Sequence, residues 1–219
     1  RADKNAEAAE TLRGYGVRVF TDCVDVSDEA AIVAGFGRAL EAMDRVDTVV
    51  ANAGIATQVP FTDMDIARYR KLIDVNLDGA VFTLREGARH MKARAEAGDP
   101  GGSLIVCGSG SIFQGVPTMA HYGIAKGALN ALAKALAAEL GPIGVRCNVI
   151  APGFIETEMT FADPEQGRMI AEMVSARTPL GRAGKPADLE GAVVYLASDM
   201  SAYHTGDTLV VDGGKMSAN

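Results

Sequence analysis

A chain of 219 residues, with 48% hydrophobic but only 5% aromatic residues, is sized for one α/β domain whose core is Ala, Val, Leu and Ile. At this length most of the surface can be buried without help from a disulfide or a metal. The formal charge of −7, with acidic and basic residues interspersed, argues against nucleic acid as a partner, because phosphate binding relies on clustered Lys and Arg. Cys23, Cys107 and Cys147 are odd in number and widely spaced, so they read as buried free thiols of a reducing, cytoplasmic compartment. His90, His121 and His204 show no ligand spacing, and no metal site is expected. No apolar run approaches the roughly 18–20 residues of a membrane helix, so no membrane partner is expected.

In chain order, residues 5–15 pattern as a helix, followed by Gly16 and a strand over 17–22. Asp25-Val26-Ser27-Asp28 opens a second helix, with Ser27 read as its cap and Ile32, Phe36, Leu40 and Met43 as its apolar stripe. A short buried strand over 46–51 ends in Asn52-Ala53-Gly54. A long helical stretch over 65–97 is interrupted or bent near Asn76 and Gly79. A Pro-Gly-Gly turn leads into a strand over 103–107. A helix over 119–140 then stops at Gly141-Pro142. A strand over 145–150 is halted by Pro152-Gly153, and a helix over 187–196 precedes the last strand, 208–211.

This alternation, with five strands and about five main helices, is the pattern of a parallel sheet covered on both faces. A doubly wound nucleotide-binding sheet would open with a strand, a glycine-rich phosphate loop and a helix. Here the sequence opens on polar, helix-forming residues. Either it has lost its front end or the sheet is of another kind.

Tyr122-Gly-Ile-Ala-Lys126 places a phenol and an ammonium on one helix face. A phenol with a reference pKa of about 10 exchanges protons poorly at neutral pH, and a nearby ammonium lowers that value toward a useful range. Alone the pair reads as an ordinary amphipathic helix with a surface Lys. Its company changes this reading. Ser109, 13 residues before Tyr122, lies in Cys107-Gly-Ser-Gly-Ser111 directly after a strand, at the sheet edge where ligands sit. A hydroxyl there can stabilise negative charge on a carbonyl oxygen. Asn52-Ala53-Gly54 and Pro152-Gly153 close two further strands, so three strand ends with small or turn-forming residues outline a crevice.

With these motifs in this order, together with Asn76 in Asp-Val-Asn-Leu, Pro152-Gly153-Phe-Ile-Glu-Thr157 and the tail Thr208-Leu-Val-Val-Asp-Gly-Gly, the chain resembles the short-chain dehydrogenase/reductase family over nearly all its length. The resemblance implies a single Rossmann-like domain over residues 1–219, a doubly wound parallel α/β sheet truncated at the N-terminus so that its first two strands are missing. It implies that Tyr122 exchanges a proton with the substrate oxygen during hydride transfer to or from a nicotinamide cofactor. Lys126 would lower the Tyr122 pKa and hold the ribose, Ser109 would polarise the carbonyl with Ser111 as its rival, and Asn76 would hold a relay water. Asp25 and Val26 would contact the adenine, Asn52, Ala53 and Gly54 would line the cofactor, and Pro152, Gly153, Ile155 and Thr157 would lie at its carboxamide end. His121 receives no assignment.

Arg1 falls where the second strand would end, and a basic residue there accompanies the 2′-phosphate, which favours NADP(H) over NAD(H). The Ala- and Leu-rich stretch 128–140 exceeds one core face, and the resemblance implies a homodimer or homotetramer packed through it. Residues 158–180, with Phe161, Met169, Met173 and Val174, read as a mobile lid over a mid-sized, partly apolar alcohol or ketone. Both 3-oxoacyl thioester reductases and sugar or polyol dehydrogenases remain open as the branch. Without the phosphate loop this chain alone is expected to be unstable and nearly inactive. A competing reading is therefore a catalytically inactive truncated relative that serves only as an assembly partner.

Overall fold

The computed structural model describes residues 2–218, and Arg1 lies outside them. Among the described residues four strands, β1 (Thr48–Ala51), β2 (Gly102–Cys107), β3 (Val145–Pro152) and β4 (Thr208–Val211), form one parallel sheet in the order β1-β2-β3-β4. The apolar runs of β2 and β3 suit strands covered on both faces. Along β2 the faces alternate. Leu104 and Val106 pack under the helices α4 (Gly79–Glu96) and α5 (Ala120–Leu140) with Leu84, Met91, Leu129 and Ala133. Ile105 points the other way, to Leu196 of α7 (Ala187–Ala197), and Ser103 on that face donates its hydroxyl to the Leu196 carbonyl at 2.7 Å. Leu104, Val106, Leu84 and Leu196 are fully buried, each contributing roughly 1.5–3 kcal/mol of burial.

Residues 17–22 are not a strand. They run without sheet pairing, leaving Val17 54% and Phe20 38% exposed, because none of the four strands lies beside them. Alternating β-type residues cannot make a strand without a neighbour to complete the ladder. The count is therefore four strands, not five. Helix α1 (Ala2–Arg13) holds this segment instead, through Asn5 Nδ2 donating to the Asp22 carbonyl at 2.7 Å.

The cap of α2 (Glu29–Met43) is Asp28, not Ser27. Asp28 Oδ1 accepts from the amides of Ala30 and Ala31, while the Ser27 hydroxyl is taken by Asp25 at 2.7 Å. The expected break near Asn76 is a π-helical turn, Asp74–Asp78, joining α3 (Ile66–Ile73) to α4 without interruption. Gly79 belongs there because a Cβ would come within 2.9 Å of the Val26 carbonyl, so the chain after residue 22 is seated against the start of α4. Of the thiols expected to be buried, Cys147 is, Cys107 is half-buried, and Cys23 is exposed because its segment has no covering strand. No described helix is long and apolar enough to cross a membrane.

Candidate active site

In a parallel sheet the carboxyl ends of all strands meet at one edge. At that edge β2 leaves through Gly108, where a Cβ would stand 2.5 Å from Val149 Cγ1 and 3.2 Å from the Ile150 carbonyl. Only glycine lets the chain pass there, and its amide extends the pairing with β3 by donating to Ile150 at 2.7 Å. Ser109 follows in extended conformation, its Oγ accepting from the Ser111 amide at 3.1 Å. Its own proton is thereby left free for another acceptor. The Ser111 hydroxyl is buried with no hydrogen-bond partner among the described residues.

Tyr122 and Lys126 stand one turn apart in α5. Lys126 is 4% exposed, which rules out the surface-lysine reading; its Nζ donates to the Cys107 carbonyl at 2.6 Å and lies 5.7 Å from the Tyr122 ring centre. Burial lowers the Lys126 pKa, the sulfur of Cys107 opposing. Burial also raises the Tyr122 phenol above its ordinary value, the Ser109 hydrogen bond opposing and Cys107 reinforcing. Desolvation of the phenol dominates, and the ammonium is directed at a backbone carbonyl.

Asn76 is fully buried in the π-helical turn, a feature that often marks functional positions. Its Oδ1 accepts from the Ile55 amide at 2.8 Å and its Nδ2 donates to the Ile55 carbonyl at 2.9 Å, so it ties the π-helical turn to the loop after β1. One N–H and one lone pair of the amide remain for another partner.

A cavity of about 680 Å³ opens beside these groups. Ser109, Ser111, Tyr122, Pro152 and Gly153 line it; Asn76 and Lys126 do not. Asn52 and Ala53 are exposed and Gly54 half-buried at the end of β1, and none of the three lines the cavity. Asp25 is exposed, its carboxylate accepting from the amide and hydroxyl of Ser27, which holds its pKa below the usual range. Gly153 sits where a Cβ would meet Asp212 at 2.8 Å, and Ile155 is buried against Gly184. Thr157 does not line the cavity but hydrogen-bonds to Thr160, which does.

Helix α6 (Pro164–Ser175) covers one side, presenting Ile170, Met173 and Val174. Two residues expected in this wall do not line it. Met169 is 63% exposed on the outer face, and Phe161 is packed where a Cβ on Gly167 would meet its ring. Cavity residues that sequence reasoning missed include Thr57, Gln114, Gln166 and Lys215. Only Lys215 carried a signal, since it follows the Asp-Gly-Gly turn in which the Asp212 carboxylate accepts from the amides of Gly214 and Met216.

The family profile described as enoyl-(acyl carrier protein) reductase matches residues 1–216. An L-rhamnose 1-dehydrogenase (NAD(P)(+)) of Azotobacter vinelandii is 39% identical over 95% of this chain and 78% of its own length. An NADP-dependent (R)-specific alcohol dehydrogenase of Lentilactobacillus kefiri is 40% identical over 97% and 82%. Among solved structures, a gluconate 5-dehydrogenase of Burkholderia cenocepacia in complex with NADP and tartrate superposes with a TM-score of 0.91 at 33% identity, covering 100% of this chain and 84% of that one. The chain belongs to the short-chain dehydrogenase/reductase family, with its Rossmann-type fold. It is an oxidoreductase acting on CH–OH groups.

The donor set at the sheet edge fits the nicotinamide–ribose half of a dinucleotide. Lys126 uses one of its ammonium donors on Cys107, which leaves donors for ribose hydroxyls, and the small residues 52–54 permit close approach. The described residues contain no glycine-rich pyrophosphate loop.

Proposed function

We propose that the chain interconverts a secondary alcohol and a ketone with a nicotinamide cofactor, Tyr122 acting as general acid and base. The observation that carries this reading is that Ser109 and Tyr122 line one cavity while Lys126 is buried a turn behind Tyr122. The cofactor, when bound, supplies or accepts the hydride. In reduction, Tyr122 gives its proton to the carbonyl oxygen, and Ser109, already accepting from Ser111, donates its own proton to that oxygen. Burial suits the acid role because it keeps the phenol protonated. Lys126 stabilises the phenolate left behind and holds the ribose together with Tyr122. The free N–H of Asn76 holds a water that returns the proton.

Asp25 and Val26 meet the adenine, Asn52, Ala53 and Gly54 flank the cofactor, and Pro152, Gly153, Ile155 and Thr157 hold its carboxamide end. NADP(H) is preferred to NAD(H), in line with the NADP-dependent relative from Lentilactobacillus and the NADP complex of the Burkholderia neighbour. The amides of Gln58, Gln114 and Gln166 on the cavity wall, with the rhamnose and gluconate dehydrogenases among its relatives, favour a sugar or polyol over a 3-oxoacyl thioester. Residues 158–180 form the substrate lid. The chain assembles as a homodimer or homotetramer through α5, where Gly123 and Gly127 have open space and Ile124 is 48% exposed. A cytoplasmic location accords with three free thiols.

Thermal-shift titration of the full chain with NADPH and NADH tests the reading, since a ligand that binds only the folded state raises its melting temperature. A rise with NADPH exceeding that with NADH is expected. No rise with either returns the protein to the assembly-partner class, and carbonyl reduction retained by Tyr122→Phe rejects the proposed acid.

A further inference from the structure

The loop over residues 55–59 is tied down at alternate positions. Asn76 holds Ile55, the Val59 amide donates to the Thr118 carbonyl at 2.9 Å, and between them Thr57 Oγ1 lies 2.7 Å from His121 Nε2. Of these three residues only Thr57 lines the cavity that Ser109 and Tyr122 share. His121 is fully buried, and its Nδ1 has no hydrogen-bond partner among the described residues. The dehydrogenase reading makes no use of either side chain.

The unpartnered Nδ1 fixes the direction of the bond. A neutral imidazole carries one proton, on Nδ1 or on Nε2. A proton on Nδ1 would leave a bare N–H in the interior, and such orphaned donors are rarer than under-satisfied acceptors. A proton on Nε2 leaves only a lone pair unmet. Nε2–H then donates to Thr57 Oγ1, and the Thr57 proton has nowhere to point but another acceptor. Burial, with Arg68 reinforcing, lowers the His121 pKa and keeps the ring neutral.

We propose that Thr57 is a specificity-determining residue that donates a hydrogen bond to a substrate oxygen next to the reacting carbon, with His121 as its positioning residue. Thr57 and Tyr122 line the same cavity, so the hydroxyl that His121 positions faces the space in which a substrate meets the proposed acid. The substrates this selects are α-hydroxy ketones and the corresponding vicinal diols. The inference rests on the dehydrogenase reading and adds a second recognition point to it.

The test compares kcat/KM for 2-hydroxyacetophenone and acetophenone, two ketones that differ by one hydroxyl, in the full chain with NADPH. The wild type is expected to prefer the hydroxy ketone by about tenfold, the size of one well-made hydrogen bond. Thr57→Val, close in shape, should abolish the preference through KM for the hydroxy ketone and leave acetophenone within about twofold; Thr57→Ser should keep it. His121→Leu should also lose the preference, and His121→Gln, which returns an N–H near Nε2, should restore most of it. A wild type without preference, or a Thr57→Val variant that loses both ketones equally or neither, overturns the proposal. Tyr122→Phe separates the two levels. It should abolish both reductions whatever Thr57 does, and its failure to do so removes the dehydrogenase mechanism itself.

Discussion

The two walls of the cavity are built on opposite principles. Around the ends of β2 and α5, polar side chains are buried and committed: Lys126 to the Cys107 carbonyl, Asn76 to both backbone groups of Ile55, and His121 to Thr57. Across from them, α6 offers Ile170, Met173 and Val174, and its outer face carries an exposed Met169. Hydrogen bonds in a buried site hold atoms to within tenths of an ångström. Flexible methionines on a half-exposed helix fit many shapes. The contrast separates a corner made for one chemistry from a wall that can change with the substrate.

The largest effect should come from the corner itself. Tyr122→Phe is expected to lower kcat by about 10²–10⁴-fold with little change in melting temperature, the range associated with loss of a general acid. Steady-state kinetics alongside a melting curve checks this, and an unchanged kcat would dissolve the distinction between the walls.

Asn76→Ala strikes the same corner through its scaffold. Removing an amide that makes two buried hydrogen bonds should cost about 2–3 kcal/mol, because the amide and carbonyl of Ile55 lose their partner. Chemical denaturation should show the midpoint falling at unchanged slope, accompanied by a loss of activity.

The protonation of Tyr122 offers a subtler probe. Its pKa is raised by burial, so the neutral phenol persists to higher pH than a free one does. Difference absorbance of wild type against Tyr122→Phe, titrated without added nucleotide, should stay flat from about pH 7 to about pH 9.5. A Tyr122-dependent phenolate band within that window would mean that Lys126 outweighs desolvation after all.

The smallest change is expected on the opposite wall. Met173 is 52% exposed, so Met173→Ala should alter stability by less than about 1 kcal/mol. It should shift KM among ketones of different size by a few-fold while leaving kcat nearly intact. A large fall in kcat would place α6 within the reaction corner.

Much of the corner was legible in the chain because its groups are local or follow strand ends. Ser109 lies just past an apolar run, and Tyr122 and Lys126 lie four apart on a helix, so periodicity and motif order place them. Thr57 and His121 were not legible as a pair: 64 residues separate them, and Thr57 belongs to no patterned segment. Asn76 was picked out as a bend residue, but its grip on Ile55, 21 residues away, depends on where the loop after β1 passes the π-helical turn.

By itself the sequence determined the parallel α/β architecture and the family, and it put forward the Ser–Tyr–Lys set, because apolar runs, caps and spacings act over a few residues. Only the tertiary structure decided that residues 17–22 make no strand and that burial raises the Tyr122 phenol. It also decided that a buried histidine aims a threonine into the cavity. Pairing, desolvation and side-chain hydrogen bonds each depend on a neighbour brought from elsewhere in the chain. No local pattern records which neighbour that will be.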